Sequence, residues 1–168
     1  MRFFINAPPN RSDTLELEAE DAFHVFKVLR MTPGESIEVC DRDENLYWCM
    51  LATVGKAGVT ARIISSERLS NEPSGRVEIY AGLSKGDRFD NLIQKAVECG
   101  AAQITPFISQ RCIAIPKADD YEKKRQRFSR IALEAAKQSR RTRRPEIGAI
   151  QSVQEAVNAA AAAEAGLF

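Results

Sequence analysis

The chain has 168 residues, of which 44% are hydrophobic and 28% are charged. This length fits one ordinary domain or two small ones, and the composition excludes wholesale disorder. No run approaches the roughly 18 apolar residues of a membrane-spanning helix, and the start, Met1–Asn6, is too short and polar for a signal peptide. Taken alone, the net charge of +1 argues against a nucleic-acid-binding protein.

The charges are distributed unevenly along the chain. Residues 111–145 contain 12 basic and 4 acidic residues, a net charge of +8, whereas the rest of the chain carries −7. Residues 137–144 hold five cations in eight positions, and such a cluster repels itself unless an anion is bound, which favours contact with phosphate. Two alternative interpretations of this cluster are a solvated helix face and a helix end that is stabilised by cations. A helix end, however, needs only one or two cations.

Four cysteines are present, but none forms a C-x-x-C pair, and His24 is the single histidine. No zinc spacing results, so no metal site is predicted. The apolar neighbours of the cysteines indicate small buried side chains in a reducing cytosol, which predicts a cytoplasmic protein. The alternative to a structural role is a nucleophilic cysteine. It would be paired with His24, or it would be Cys99 or Cys112 in a small-molecule enzyme.

The first 68 residues are predicted to form mainly short strands. One amphipathic helix is expected over about 21–30, because apolar residues recur there with helical spacing, and Pro33-Gly34 ends it. Runs rich in β-branched and aromatic residues then predict three antiparallel strands: Ser36–Cys40, Leu46–Thr53 and Val59–Ser65. A series of short strands of this kind favours a small β-barrel.

The polar segment 70–75 is the predicted boundary between a first domain, 1–70, and a second, 76–168. Beyond it strands and helices alternate, which predicts an α/β domain with a parallel sheet covered by helices. The strands are expected at Val77–Leu83, Ile104–Ile108 and Ile147–Ile150, and the helices at Asp87–Cys99, at Tyr121–Ser139 and from Ser152 through the alanine run 159–163. Leu167-Phe168 resembles the start of a further strand.

The glycines form neither a dinucleotide-binding fingerprint nor a P-loop. The turn 82–87 ends a predicted strand and opens a helix, so its backbone amides suit an anion, although an ordinary tight turn explains it equally well. The basic elbow at 138–144 follows the long helix and precedes Pro145. Its guanidinium groups can grip phosphate bidentately, which makes it the best candidate site for an anionic polymer.

Several short sequence motifs match, in order, those of a known protein family, and together they cover nearly the whole chain. They are His24-x-x-x-Val28-Leu29-Arg30-Met31-x-Pro33-Gly34, Lys85-Gly86-Asp87-Arg88, Ile93–Gly100, Ile104-Thr105-Pro106, Ser109-Gln110-Arg111-Cys112 and Ala135-Ala136-Lys137-Gln138-Ser139-x-Arg141-x-Arg143-x-Pro145-Glu146. The ordered set resembles the bacterial 16S ribosomal-RNA uridine-N3 methyltransferases, of the knotted SPOUT-type superfamily. Lys137, Arg140 and Arg144 make the elbow more basic than is usual in that family.

The resemblance implies a PUA-like β-barrel that binds RNA, followed by a SPOUT-type α/β domain that dimerises. It implies methyl transfer from S-adenosylmethionine to N3 of a uridine in the 16S rRNA of the 30S subunit, by positioning and proton removal rather than covalent catalysis. No catalytic base is named. The residues expected to bind RNA, by this analogy and by the charge of the elbow, are Arg2, Arg30, Arg111, Gln138, Ser139, Arg140, Arg141, Arg143 and Arg144.

Two segments that build the cofactor pocket and the knot in that family do not occur in this chain: a Gly-Pro-Glu-Gly-Gly loop and a Leu-Arg-x-Glu-Thr-Ala segment. They are expected beyond Phe168, so the chain is expected to be a fragment or a truncated product with an incomplete cofactor site. For the chain alone this predicts negligible affinity for S-adenosylmethionine. The alternative function is a non-catalytic RNA-binding module.

Overall fold

The structure, a computed structural model, describes residues 1–9, 13–69, 71–110, 112 and 118–163. The chain divides into two compact units. The first consists of Met1–Glu72 together with Arg140–Arg144, and the second of Pro73–Ser139 and Pro145–Phe168. The chain therefore leaves the first unit after Glu72 and returns to it for five residues.

The first unit is built on a five-stranded sheet with the order β1-β3-β4-β5-β2. Its strands are β1 (Arg2–Phe4), β2 (Thr14–Glu16), β3 (Ser36–Cys40), β4 (Asn45–Gly55) and β5 (Gly58–Arg68). Helix α1 (Ala19–Phe23) continues as a π-helical turn, His24–Val28, where the sequence predicted one helix. Strands β3, β4 and β5 pair antiparallel, as predicted, and β2, which was not predicted, pairs antiparallel with β5. Strand β1 runs parallel to β3, and β2 and α1 lie in the connection that a parallel pair needs.

One face of this sheet carries the core of the first unit. Phe3 and Val39 are fully buried in a cluster that includes Val25 from the π-helical turn. Successive side chains on a strand point to opposite faces, so the neighbours Arg2 and Glu38 lie on the other side. We call that side the outer face.

The second unit is a parallel sheet with helices, as the alternating pattern predicted. Its strands are β6 (Glu78–Gly82), β7 (Gln103–Ile108), β8 (Glu146–Ile147) and β9 (Gln151–Ser152), and β6, β8 and β9 all pair with β7. Its helices are α2 (Arg88–Glu98), α3 (Tyr121–Gln138), which a short 3-10 turn precedes, and α4 (Val153–Ala161). Helices α2 and α3 pack through Phe89 and Phe128, whose ring centroids are 4.9 Å apart.

Two details of the second unit differ from the sequence-based expectations. The single strand expected at Ile147–Ile150 is interrupted: β8 ends at Ile147, and pairing with β7 resumes only at Gln151. Between them, Gly148 lies so close to Thr105 that a side chain there would clash. Cys99 is exposed rather than buried. Ser152 caps α4 in a reciprocal capping box with Glu155, which confirms the predicted start of that helix. The strand expected at Leu167-Phe168 lies outside the described residues.

Candidate nucleic-acid interface

Residues Arg140–Arg144, which we call the basic segment, pack with the first unit around the carboxylate of Glu72. Arg141 donates from Nε to Oε2 of Glu72 at 3.0 Å. The backbone amides of Thr142 and Arg143 donate to Oε1 at 3.0 and 2.9 Å. Both side chains of the ion pair are buried, with exposed fractions of 4% for Arg141 and 5% for Glu72. One acid therefore fixes the conformation of three consecutive residues.

Arg2 holds the start of the basic segment. Its guanidinium group donates to Oε2 of Glu38 from Nε at 3.0 Å and from Nη2 at 2.8 Å. Its Nη1 atom donates to the backbone carbonyls of Arg140 and Arg141. Asn71 adds a bond from its side-chain amide to the same Arg140 carbonyl at 3.1 Å. These contacts hold Arg140 at φ 56°, a left-handed conformation that is uncommon for a residue other than glycine.

The burial of Arg2 and Arg141 gives both residues a structural role. Their guanidinium groups are directed at Glu38, at Glu72 and at backbone carbonyls, and each side chain is 4% exposed. Lys137, another cation of the elbow, is also buried and pairs with Glu134 at 3.0 Å. Their burial favours this structural role over contact with RNA, which stays a prediction for Arg2 and Arg141.

Three arginines of the basic segment are exposed: Arg140, Arg143 and Arg144. Arg143 pairs with Glu44 in the β3–β4 loop and keeps a side-chain exposure of 46%. Within the described residues, the side chains of Arg140 and Arg144 form no ion pair. The first unit thus displays cations from a backbone that buried contacts hold in place, which suits contact with phosphate.

The remaining predicted RNA-binding residues lie elsewhere. Arg30 is exposed on the first unit at φ 53°, shortly after the π-helical turn. Gln138 and Ser139 belong to the second unit, where Gln138 is exposed and the Ser139 hydroxyl donates to the Ala135 carbonyl at 2.7 Å. Arg111 lies outside the described residues.

Sequence reasoning missed the acids and amides that organise this site. Glu72 and Asn71 fall in the polar segment 70–75, which the sequence predicts as a domain boundary, and that prediction assigns them no partners. The only signal in the sequence is the opposite charge of Glu72 and the arginines of the basic segment. Because these residues lie far apart along the chain, one sequence cannot show that they pair.

Glu72 makes the stability of the first unit dependent on pH. Burial alone would raise the pKa of its carboxyl, but hydrogen bonds from Arg141, Arg143 and Thr142 outweigh burial and lower the pKa below the ordinary value of 4.5. A lowered pKa in the folded state stabilises the protein fully above the unfolded pKa, and this stabilisation is lost as the pH falls through the folded pKa.

We therefore expect the stability difference between the unchanged protein and Glu72→Gln to be largest near neutral pH and to shrink below about pH 4.5. Urea denaturation of both proteins over a pH series measures this difference in the free energy of unfolding. The other acids titrate in both proteins, so their contributions cancel. A difference that stays constant down to strongly acidic pH would contradict the assignment.

The buried thiols are poor nucleophiles. Burial raises the pKa of Cys40 and of Cys49 to about 11, so both remain protonated at neutral pH. Within the described residues, no group of histidine, cysteine or acidic side chains could hold a metal ion. None of the described helices is long and apolar enough to cross a membrane.

The second unit contains a cavity of about 200 Å³ at the N-terminal end of α2. Its charged lining residues are Lys85, Asp87, Asp90, Lys124 and Arg127. Arg127 pairs with one carboxylate oxygen of Asp90, and within the described residues the other oxygen is buried without a hydrogen-bond partner. The cavity is therefore small and strongly polar.

Comparison with known proteins supplies the family. A family model described as an RNA methyltransferase domain matches residues 70–168, and one described as an RNA methyltransferase PUA domain matches residues 17–64. The chain belongs to the RNA methyltransferase family. The predicted fold class of this RNA methyltransferase-family chain is confirmed: an N-terminal PUA-like unit is followed by a SPOUT-type α/β unit.

Curated relatives of this family member are named ribosomal RNA small subunit methyltransferase E. The Bacillus subtilis protein is 34% identical over 159 residues, which are 92% of this chain and 61% of the relative. The Mycobacterium tuberculosis protein is 29% identical over 171 residues, which are 96% of this chain and 64% of the relative. The chain thus spans about three fifths of the length of these relatives.

Solved structures agree with this family. Ribosomal RNA small subunit methyltransferase E from Neisseria gonorrhoeae, bound to S-adenosyl methionine, has a TM-score of 0.86 and 29% identity over 94% of this chain and 64% of its own. A Legionella pneumophila methyltransferase in complex with the cofactor SAM has a TM-score of 0.88 and 28% identity over 97% of this chain and 66% of its own. Both chains extend well beyond the part that this family member matches.

Proposed function

We propose that this chain supplies the RNA-binding unit and part of the catalytic unit of a methyltransferase that acts on 16S rRNA of the 30S subunit. The observation that carries the proposal is the ordered match of the two RNA methyltransferase family models to residues 17–64 and 70–168. The names of the relatives support it, as do the exposed arginines that the first unit holds on a fixed backbone.

We propose N3 of a uridine as the methylated atom and S-adenosylmethionine as the methyl donor. The donor supplies an electrophilic methyl group on a positively charged sulfur, and the imide nitrogen must lose its proton as it is methylated. The chain's own contribution is to bind and orient the RNA, because a substrate held in position reacts faster without covalent catalysis. Arg140, Arg143 and Arg144 would contact phosphates, and Arg30, Gln138, Ser139 and Arg111 remain further candidates.

The described cavity does not fit the methyl donor. About 200 Å³ is below the roughly 300–1,000 Å³ of small-molecule sites, which are mostly apolar. Its lining carries three cations, Lys85, Lys124 and Arg127, against the two acids Asp87 and Asp90, and a lining with this net charge of +1 does not favour a positively charged sulfur.

For this chain alone we expect negligible affinity for S-adenosylmethionine. Isothermal titration calorimetry measures it, with the Neisseria gonorrhoeae protein, whose structure holds S-adenosyl methionine, as the positive control. Tight binding by the 168-residue chain would show that its own residues form a cofactor site and would contradict this expectation.

A methylation assay tests the proposed reaction. The gene's full-length product is incubated with 30S subunits and labelled S-adenosylmethionine, and the label is located on the 16S rRNA. A methyl group at N3 lies on the Watson–Crick edge of uracil, so reverse transcription should stop at the modified position. Absence of label from 16S rRNA would exclude the proposal, and label without such a stop would exclude N3.

The second candidate function is RNA binding without catalysis. The observation that favours it is the return of the basic segment to the first unit. The basic surface of that unit is thereby complete and needs no cofactor. Salt-sensitive RNA binding by this chain, combined with no methylation by the full-length product, would favour this candidate.

We also propose that the full-length protein works as a homodimer in the cytoplasm. The parallel sheet and helices of the second unit match those of SPOUT-type structures. Sedimentation equilibrium of the full-length product tests the dimer, and a monomer at micromolar concentration would contradict it. Fractionation of the producing cells tests the location.

A further inference from the structure

Trp48 is the chain's one tryptophan, and its indole ring is in contact with solvent. It lies within β4 and is 37% exposed, whereas Phe3, Phe89 and Phe128 are buried almost completely. Large aromatic rings contribute most to stability when they are buried, so a ring that stays partly exposed contributes less to the fold than its size allows. Its backbone pairs with Glu38 on β3 and with Ser65 on β5, and a register shift between β4 and β5 follows directly after it.

The strand register places Trp48 on the outer face, beside the residues that hold the basic segment. Trp48 pairs with Glu38 across β4 and β3, and Glu38 pairs with Arg2 across β3 and β1. Adjacent strands are about 4.8 Å apart, so the backbone of Trp48 lies about 10 Å from that of Arg2. Arg2 in turn donates to the carbonyls of Arg140 and Arg141. The indole and the basic segment are therefore neighbours within one unit.

The charges near the indole favour an anionic partner. Glu38, the acid directly beside Trp48, accepts two hydrogen bonds from Arg2, so its charge is compensated. Arg62 lies opposite Met50, the next outward position of β4, and is exposed. Glu67, opposite Leu46 on the neighbouring strand, is an exposed acid that forms no ion pair within the described residues. The exposed cations Arg62 and Arg140 outnumber it.

We propose that Trp48 is a stacking platform for an unpaired base of an RNA strand whose phosphates contact the basic segment. This inference rests on the proposed RNA-binding function and assigns it a residue. Proteins that bind single strands combine cations along the backbone with aromatic rings on which bases stack. A base inside a duplex is already stacked on its neighbours, so only an unpaired base can use the ring.

Because Trp48 is the single tryptophan, its fluorescence reports on this position alone. The chain is titrated with a labelled unpaired RNA of about 10 nucleotides and, separately, with a duplex of the same length. Label anisotropy measures binding, and tryptophan emission measures contact with the ring. The unpaired RNA should quench the emission with the same midpoint as the anisotropy change, and the duplex should leave it nearly unchanged.

Three variants separate stacking from general apolar contact. Trp48→Ala should weaken binding of the unpaired RNA about 5- to 150-fold, and Trp48→Phe should retain most of the affinity. Ile64→Ala is the matched control, because Ile64 is 56% exposed on the neighbouring strand but has no ring, and it should stay within about twofold. Circular dichroism checks that each variant is folded.

The possible outcomes are distinguishable. Binding by anisotropy without quenching, or an unchanged affinity of Trp48→Ala, overturns the stacking role and leaves the proposed RNA-binding function standing. Absence of any RNA binding overturns that function and this inference with it. Emission that changes with protein concentration in the absence of RNA would mean that a second copy of the chain covers the ring, which also overturns the proposal.

Discussion

Replacing Arg141 with alanine is expected to lower the free energy of unfolding of the first unit by about 3–5 kcal/mol. The change would leave the Glu72 carboxylate, whose side chain is 5% exposed, buried without its charged partner. The backbone amides of Thr142 and Arg143 would remain as donors but cannot neutralise the charge. Urea denaturation followed by Trp48 fluorescence measures the loss, and that signal comes only from the first unit.

Arg143→Ala is the matched control for this prediction. It removes an arginine two residues away whose pair with Glu44 is half exposed, and such pairs contribute at most about 1 kcal/mol. Equal losses for the two variants would mean that the burial of the Arg141 pair is energetically unimportant. A loss below 1 kcal/mol for Arg141→Ala would contradict the structural role given to Glu72.

The double variant Arg140→Ala/Arg144→Ala is expected to weaken binding of unpaired RNA about 10- to 100-fold, without a comparable loss of stability. Both side chains are exposed, and the contacts that hold Arg140 use its backbone carbonyl, which alanine keeps. Each lost contact with a single-stranded phosphate should also reduce the slope of log K against log salt by about 0.7. Fluorescence anisotropy over a salt series measures both quantities.

Lys56→Ala/Lys95→Ala provides the control, because it removes two exposed cations outside the basic segment and changes the net charge equally. Its affinity and salt slope should stay close to those of the unchanged protein. If both double variants weakened binding to the same extent, the effect would come from total charge rather than from the basic segment.

The elements that could be predicted from sequence are those that local pattern determines. Ser36–Cys40 was predicted with the bounds of β3, because β-branched residues and flanking turns both mark it. Helix α2 was predicted to within one residue at each end, since Phe89, Ile93 and Val97 recur with helical spacing. The start of α4 followed from the Ser152 cap.

The features that could not be predicted depend on contacts between distant parts of the chain. The parallel pairing of β1 with β3 leaves no periodic signal in either strand. Charge and spacing do not indicate which arginine of the basic segment is buried, and it is the contact with the Glu72 carboxylate that buries Arg141 while Arg144 stays exposed. The exposure of Trp48 was likewise hidden, because its strand has the composition of a buried one.

The return of residues 140–144 to the first unit has a consequence for biosynthesis. On the ribosome, all five strands of that unit and Glu72 emerge before any part of the basic segment has been made. Domains generally fold as they are synthesised, N-terminal part first. Here Arg141 is made only after the whole of α3, so the pair between Glu72 and Arg141 cannot form before then. The arginine surface of the first unit is therefore completed only after α3 has been translated.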